Sequence, residues 1–194
     1  MDIRGFFVSL LVGTLVVAGL YLLCVNPEVV VARIRFHRGT KGWDRILLCF
    51  FLPAAYGVFL VAALDYGRHW LPVPWWVCGL GYVLFLVGIS IVTWAEAVNK
   101  FFEPTVRIQK DRGHKVIDTG PYALVRHPGY VGFILFFVGS ALCLGSVWAL
   151  IPAVLASGLL VLRTRWEDQT LQAELPGYNE YTERVRYKLI PGVW

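Results

Sequence analysis

Charge is what this chain has least of. Lys, Arg, Asp and Glu make up 16% of its 194 residues, against about 25% in an average soluble domain. The shortage is concentrated: residues 6–25, 46–64 and 71–95 carry no charged side chain over 20, 19 and 25 positions. About 20 apolar residues cross a bilayer core, and in lipid a helix is the economical way to satisfy the backbone. A water-soluble globular protein is thereby excluded. Cysteine is sparse and scattered, with Cys24, Cys49, Cys78 and Cys143 each in a different apolar run and no CxxC spacing. Metal or redox use is disfavoured, and small packing residues are expected. HExxH, GxSxG and Walker patterns are absent, which disfavours metal, serine and ATP hydrolysis. Gly79 and Gly81 stand inside an apolar run with no strand before them, so with Gly88 they point to close helix packing rather than a nucleotide loop. No repeat or low-complexity segment interrupts the chain, and one domain is expected over residues 1–194.

The first run is too long for a signal peptide, has only Arg4 before it and lacks a small-residue cleavage site, so it reads as a retained span. A fourth run, residues 129–162, has 34 uncharged positions. As one helix it would extend about 51 Å, too long for one crossing. A turn at Leu144-Gly145-Ser146 divides it into two short spans, whereas a single helix kinked at Pro152 fails on length and on charge. The expectation is an all-α integral membrane protein with five transmembrane helices, three within residues 1–99 and two as a tight hairpin within residues 100–194. Five crossings put 16 of the 18 Lys and Arg on one side. The positive-inside rule makes that side cytoplasmic and leaves the N-terminus outside. Topology and anionic lipid account for the net charge of +5 without any nucleic-acid partner.

Between the runs, residues 29–36 alternate apolar and basic side chains and suit an interfacial helix. Trp70, Trp75 and Trp76 read as an outer aromatic belt. Glu96 and Asn99 are expected to carry the third span into the cytoplasm. The polar stretch 100–126 is too long for a plain connection, and such loops are usually functional. Within it, 106–109 and 115–118 read as extended and 111–114 as a turn. Residues 120–130, GPYALVRHPGY, set Tyr122, Arg126, His127 and Tyr130 between two Gly/Pro breaks that fix non-helical backbone. Arg126 is expected to anchor this loop to lipid headgroups. After the hairpin, a polar helix to about residue 173 places Arg163 and Glu167 at i and i+4 on one face. Ionisable side chains at a membrane boundary are costly unless paired or facing a cavity, which makes both candidates for function. A second short helix is expected over residues 179–187.

GPYALVRHPGYVG, then RxxxE, then LPGYNEYTERVRYKLIPGVW together resemble the isoprenylcysteine carboxyl methyltransferases, within a wider class that includes phospholipid N-methyltransferases. The resemblance covers residues 109–194; the first three spans match only in hydrophobic pattern. It implies S-adenosylmethionine as methyl donor, with S-adenosylhomocysteine as product, held by the cytoplasmic loop and C-terminal helices beside the hairpin. In its terms Gln109, His114, Lys115, Val116, Ile117, Tyr122, His127, Pro128, Gly129, Tyr130 and Glu167 match cofactor-contacting positions. Ile117 stands where the family often has Leu. Arg163 matches the position that meets the acceptor, and with Glu167 forms the expected catalytic pair. The implied reaction is methyl-ester formation on a membrane-embedded lipidated carboxylate such as a prenylcysteine. Alternatives are amine methylation of a phospholipid and, at a greater remove, NADPH-dependent reduction of a sterol-like ring. A carboxylate acceptor needs no general base, whereas an amine does.

Overall fold

The computed structural model describes residues 3–34, 39–68 and 73–194. Among these residues seven α-helices form: α1 (Ile3–Val25), α2 (Pro27–Ile34), α3 (Gly42–Arg68), α4 (Trp75–Val98), α5 (Pro128–Cys143), α6 (Leu150–Glu174) and α7 (Tyr178–Arg184). Two 3₁₀ turns, Lys110–Arg112 and Gly120–Ala123, punctuate the long loop. No strand forms among the described residues, and the segments expected to be extended run as irregular chain. Trp70, Arg35 and Arg38 lie outside the described residues, as does the end of the expected interfacial helix beyond Ile34.

Helices α1, α3 and α4 are long and apolar enough to cross a membrane; α5 is apolar but shorter, at 16 residues. Helix α6 is apolar at its start and charged over its last turns. Apolar side chains cover α1 all round, with Val12, Val16, Val17 and Leu20 exposed. That distribution suits a lipid-facing helix. Asn26 stops α1 and donates from Nδ2 to the Glu96 carbonyl at 2.7 Å, tying α1 to the end of α4. Helix α4 ends at Val98 with Asn99 as its cap, and Glu96 is buried rather than presented to the cytoplasm.

Small residues set the closest approach in the bundle. A Cβ on Gly88 would lie 2.7 Å from the Gly132 carbonyl, and one on Gly132 would lie 2.7 Å from the Gly88 carbonyl. About two turns further along, a Cβ on Gly139 would come 2.4 Å from the Phe85 nitrogen and 2.8 Å from the Gly81 carbonyl. Helices α4 and α5 therefore pack backbone to backbone, the geometry that small residues permit in membranes. Gly79, by contrast, has nothing within 4 Å of its would-be Cβ. Gly139→Ala is expected to lower the melting temperature in detergent sharply, because backbone must move, whereas Gly79→Ala leaves it unchanged; overpacking of this kind costs about 1–3 kcal/mol.

The α5–α6 hairpin turns at Gly145, whose φ of 67° is the left-handed conformation that favours glycine. Its Cβ position lies 3.0 Å from Arg4 Nε, so the hairpin tip and the start of α1 share one end of the bundle. A core of Ala54, Ala55, Val58, Phe137, Ala141, Ala153, Ala156 and Leu160 joins α3, α5 and α6. At the opposite end Leu175, Tyr178, Tyr181 and Val185 form a small cluster against Ile108, Val116 and Leu171. That cluster clamps the long loop onto the C-terminal segment. Helix α7 ends sooner than its sequence suggests for a related reason. The Tyr187 and Lys188 carbonyls accept from the Arg126 and His127 N–H groups, each at 2.9 Å, which commits them to the loop instead of a further helical turn.

Candidate active site

Where the loop meets the bundle there is a cavity of about 580 Å³, within the range typical of small-molecule sites. Leu48, Phe51, Leu52, Phe133, Phe137 and Leu160 line its apolar part, while Asn99, Glu103, Arg107, Gln109, residues 114–117, Tyr122, His127, Arg163 and Glu167 line the rest. Leu52 and Tyr56 belong to this wall and are also exposed on the bundle surface, so the apolar part reaches the lipid-facing side of α3. Of the residues singled out from sequence, Gln109, His114, Lys115, Val116, Ile117, Tyr122, His127, Gly129, Tyr130, Arg163 and Glu167 all line the cavity. Pro128 does not; it is buried in the first turn of α5.

Arg163 and Glu167 share a helix face but do not pair with each other. Arg163 reaches across to α3, where Nε donates to Asp44 Oδ1 at 2.8 Å and Nη2 to Asp44 Oδ2 at 3.1 Å. Nη2 also donates to the Pro104 carbonyl at 2.7 Å. The guanidinium carbon lies 5.7 Å from the centroid of the Tyr130 ring, within cation–π range. Glu167 instead accepts a short hydrogen bond from the Tyr130 hydroxyl. The shared face holds, but the guanidinium is taken up by Asp44 on α3 rather than by Glu167.

Arg126 corrects a second expectation. It is buried, not bound to headgroups, and its fork donates to Asp168 from Nε at 2.8 Å and Nη2 at 3.0 Å. Its Nη1 caps the Val185 and Arg186 carbonyls, both at 2.8 Å. Asp168 also accepts from the Tyr178 hydroxyl at 3.0 Å and from Gln172 at 2.8 Å, and His127 Nε2 lies 3.3 Å from it. The His127 ring stacks parallel to Tyr130 with centroids 5.8 Å apart. This buried hub therefore orients His127 from behind. Burial works to raise the Asp168 carboxyl, but hydrogen bonds from His127 and Arg126 outweigh it and hold the group below the usual carboxylate range.

The loop wall has its own buried acid. Glu103 accepts from Arg107 Nε at 2.8 Å and Nη2 at 3.0 Å, with Arg112 Nη1 at 3.4 Å. Gln109 is taken up in the same fabric: Nε2 donates to the Phe101 carbonyl at 2.6 Å and Oε1 accepts from Arg112 at 2.8 Å. Its backbone carbonyl closes the turn by accepting from Arg112 and His114. Gly113, at φ 62°, lets the chain reverse. His114 packs on Phe101 with centroids 4.6 Å apart. Burial pushes its imidazole down to about 4, with Arg107 and Arg112 adding to that effect and Glu103 opposing it. It is thus neutral near pH 7, and Nδ1 accepts from the Gln109 N–H at 3.3 Å. The N–H groups of Lys115, Val116 and Ile117 make no hydrogen bond to any described residue. Tyr122 is buried, accepts from Asn99 Nδ2 at 3.0 Å, and offers its carbonyl to the Tyr181 hydroxyl at 2.7 Å. Burial pushes its phenol well above the ordinary range, against the pull of the Asn99 bond.

Asp44, Glu103, Asp168, Tyr178 and Tyr181 are the residues sequence reasoning missed. The available signal was that Asp44, Glu103 and Asp168 are acids flanking apolar runs, where an unpaired charge is costly and a buried partner has to be sought.

Parts of this sequence are similar to known proteins. The phospholipid methyltransferase family profile matches residues 76–175, from α4 through the loop and hairpin to the end of α6. Protein-S-isoprenylcysteine O-methyltransferase A of Arabidopsis thaliana is 30% identical over 135 residues, covering 65% of this chain and 68% of that protein. Protein-S-isoprenylcysteine O-methyltransferase B of the same plant is 28% identical over 134 residues, with the same coverage. The cobalt-zinc-cadmium resistance protein CzcN of Cupriavidus metallidurans is 29% identical over 131 residues, covering 66% of this chain and 56% of that protein. Among the described residues no cluster of His, Cys, Asp or Glu could hold a metal ion. A profile covering half of the chain, and two relatives matched over two thirds of their length, identify the chain as a member of the phospholipid methyltransferase family, on the side of the isoprenylcysteine O-methyltransferases.

Proposed function

We propose that this protein transfers a methyl group from S-adenosylmethionine to the carboxylate of a membrane-embedded lipidated molecule, such as a C-terminal prenylcysteine. The observation that carries this reading is Arg163. It is a buried cation in the cavity wall whose Nη1 has no hydrogen bond to any described residue. A guanidinium is the side chain best matched to a carboxylate. The apolar wall that reaches the lipid-facing side of α3 gives the acceptor's tail a place to lie.

The residues present also fit the cofactor. The free N–H groups of Lys115, Val116 and Ile117 can hold its carboxylate or adenine, and the Glu167 carboxylate can hold its ammonium or lie beside its sulfonium. Tyr122, the His127–Tyr130 stack and Gly129 complete that wall. Bound there, S-adenosylmethionine would supply an electrophilic methyl, whose transfer to a carboxylate oxygen would break its C–S bond as the C–O bond forms, leave the electron pair on sulfur and release no proton. The protein's part is alignment and exclusion of water. Arg163 would orient the carboxylate, the linked Tyr130 and Glu167 would face the bound cofactor, and His127 is held in place by Asp168. A second reading is methylation of a phospholipid amine, favoured by the family's description. It would need a base, and Glu167 is the cavity carboxylate not already taken by arginines.

The same reading includes five crossings, with α5 and the start of α6 as the last two. The N-terminus is outside, and the cavity and C-terminal helices are cytoplasmic. Support comes from Arg4 and the hairpin tip sharing one end, while Lys41 pairs with Glu174 at 2.6 Å at the other. A labelled-methyl assay on a prenylcysteine and on phosphatidylethanolamine separates the two acceptors. Thermal stabilisation in detergent by S-adenosylhomocysteine is expected; stabilisation by NADPH alone would overturn the cofactor and favour a reductase.

A further inference from the structure

We infer that Asp44 is a positioning residue for the methyl acceptor, restricting Arg163 to single-nitrogen recognition of the carboxylate. This inference rests on the carboxyl-methylation reading above. Asp44 sits in the first turn of α3 with no exposed surface. One face of the Arg163 fork, Nε with Nη2, is filled by its two oxygens. The remaining Nη2 donor goes to the Pro104 carbonyl. Both edges through which an arginine grips a carboxylate in bidentate fashion need Nη2, so neither is open. Nη1 alone is left, and Arg163 lines the cavity.

The chemical consequence concerns the nucleophile. A carboxylate gripped through both oxygens carries a charge-assisted hydrogen bond on each, which lowers the nucleophilicity of both. Held by one nitrogen, it keeps the second oxygen free for in-line attack, and the nearby Asp44 charge lessens the pull of the guanidinium on it. Asp44 also accepts from the Val106 N–H at 2.7 Å. Together Asp44 and Arg163 hold the backbone on both sides of Thr105. The position of Nη1 is thereby tied to the cavity wall itself. A plain ion-pair staple between α3 and α6 would not require that the open nitrogen face a ligand cavity. Replacing such a staple by apolar side chains is often neutral or stabilising.

The test uses the full chain in detergent, with Asp44→Asn and Asp44→Glu compared against wild type. Acceptor KM and kcat on a prenylcysteine and affinity for S-adenosylhomocysteine are measured separately. Asp44→Asn is expected to raise acceptor KM by about tenfold or more while S-adenosylhomocysteine affinity stays within about two-fold, with Asp44→Glu in between. If acceptor and cofactor parameters change together, or neither changes, Asp44 is only a staple and the inference fails. Should Asp44→Asn not fold, Asp44→Glu is read alone by the same criterion, and failure of both to fold also assigns a staple. Absence of turnover by wild type on any carboxylate acceptor overturns the underlying reading, and this inference with it.

Discussion

Asp168→Ala is expected to leave a protein that no longer folds stably in detergent, with a loss of about 3–5 kcal/mol, the usual cost of removing one partner of a buried ion pair. The acid is fully buried and gathers Arg126, Tyr178, Gln172 and His127. Without it the Arg126 guanidinium stays buried, with only the Val185 and Arg186 carbonyls as partners. Those carbonyls belong to the segment whose neighbours, Tyr187 and Lys188, hold the Arg126 and His127 backbone. The loss therefore spreads to the cavity loop. Asp168→Asn keeps the shape and should cost less, but it offers one acceptor oxygen where two were used. The pH dependence follows from the depressed carboxyl. A carboxyl whose folded pKa lies below its unfolded value stabilises the fold above the unfolded value of about 4. That contribution is lost as pH falls through the folded value. Wild type should therefore lose stability steadily below about pH 4, and Asp168→Asn should show a flatter acid limb. Melting curves over a pH series check both.

How much of this was legible in the sequence differs by element. Helices α1, α3 and α4 follow from charge-free runs of sufficient length, because the bilayer leaves no other economical backbone. The hairpin follows from a run too long for one crossing and a glycine where a left-handed turn is needed. Gly81 and Gly88 do pack against α5, while Gly79, in the same pattern, touches nothing. Spacing marks small residues without saying which face meets a neighbour. The loop residues were legible as candidates, but their partners were not. Arg126 and Asp168 are 42 residues apart, and Arg163 and Asp44 are 119 apart. Local rules such as the i,i+4 spacing that puts Arg163 and Glu167 on one face cannot see such long-range partners. A buried ion pair announces itself in a sequence only as two isolated charges, each at the edge of an apolar run.

Arg163→Ala should reduce methyl transfer by about 10²-fold or more, since loss of an orienting contact and a displacement of about 1 Å are each capable of that. It should also destabilise the fold, by about 3–5 kcal/mol, because Asp44 would be left as a buried acid with the Val106 N–H as its remaining partner among the described residues. The two effects can be separated. Replacing both partners of a buried ion pair by uncharged side chains costs less than replacing one, because no charge is left buried without its partner. In the double variant Asp44→Asn/Arg163→Ala, stability should therefore recover toward wild type, while transfer stays low because nothing replaces Nη1. Melting temperature and labelled-methyl turnover, measured on the same samples, give the comparison. Recovery of both together would mean that Arg163 acts only by holding α3 to α6, and the acceptor would have to be oriented by another group. Recovery of stability alone would leave Arg163 as the residue that meets the carboxylate, with Asp44 deciding how much of its fork the carboxylate can use.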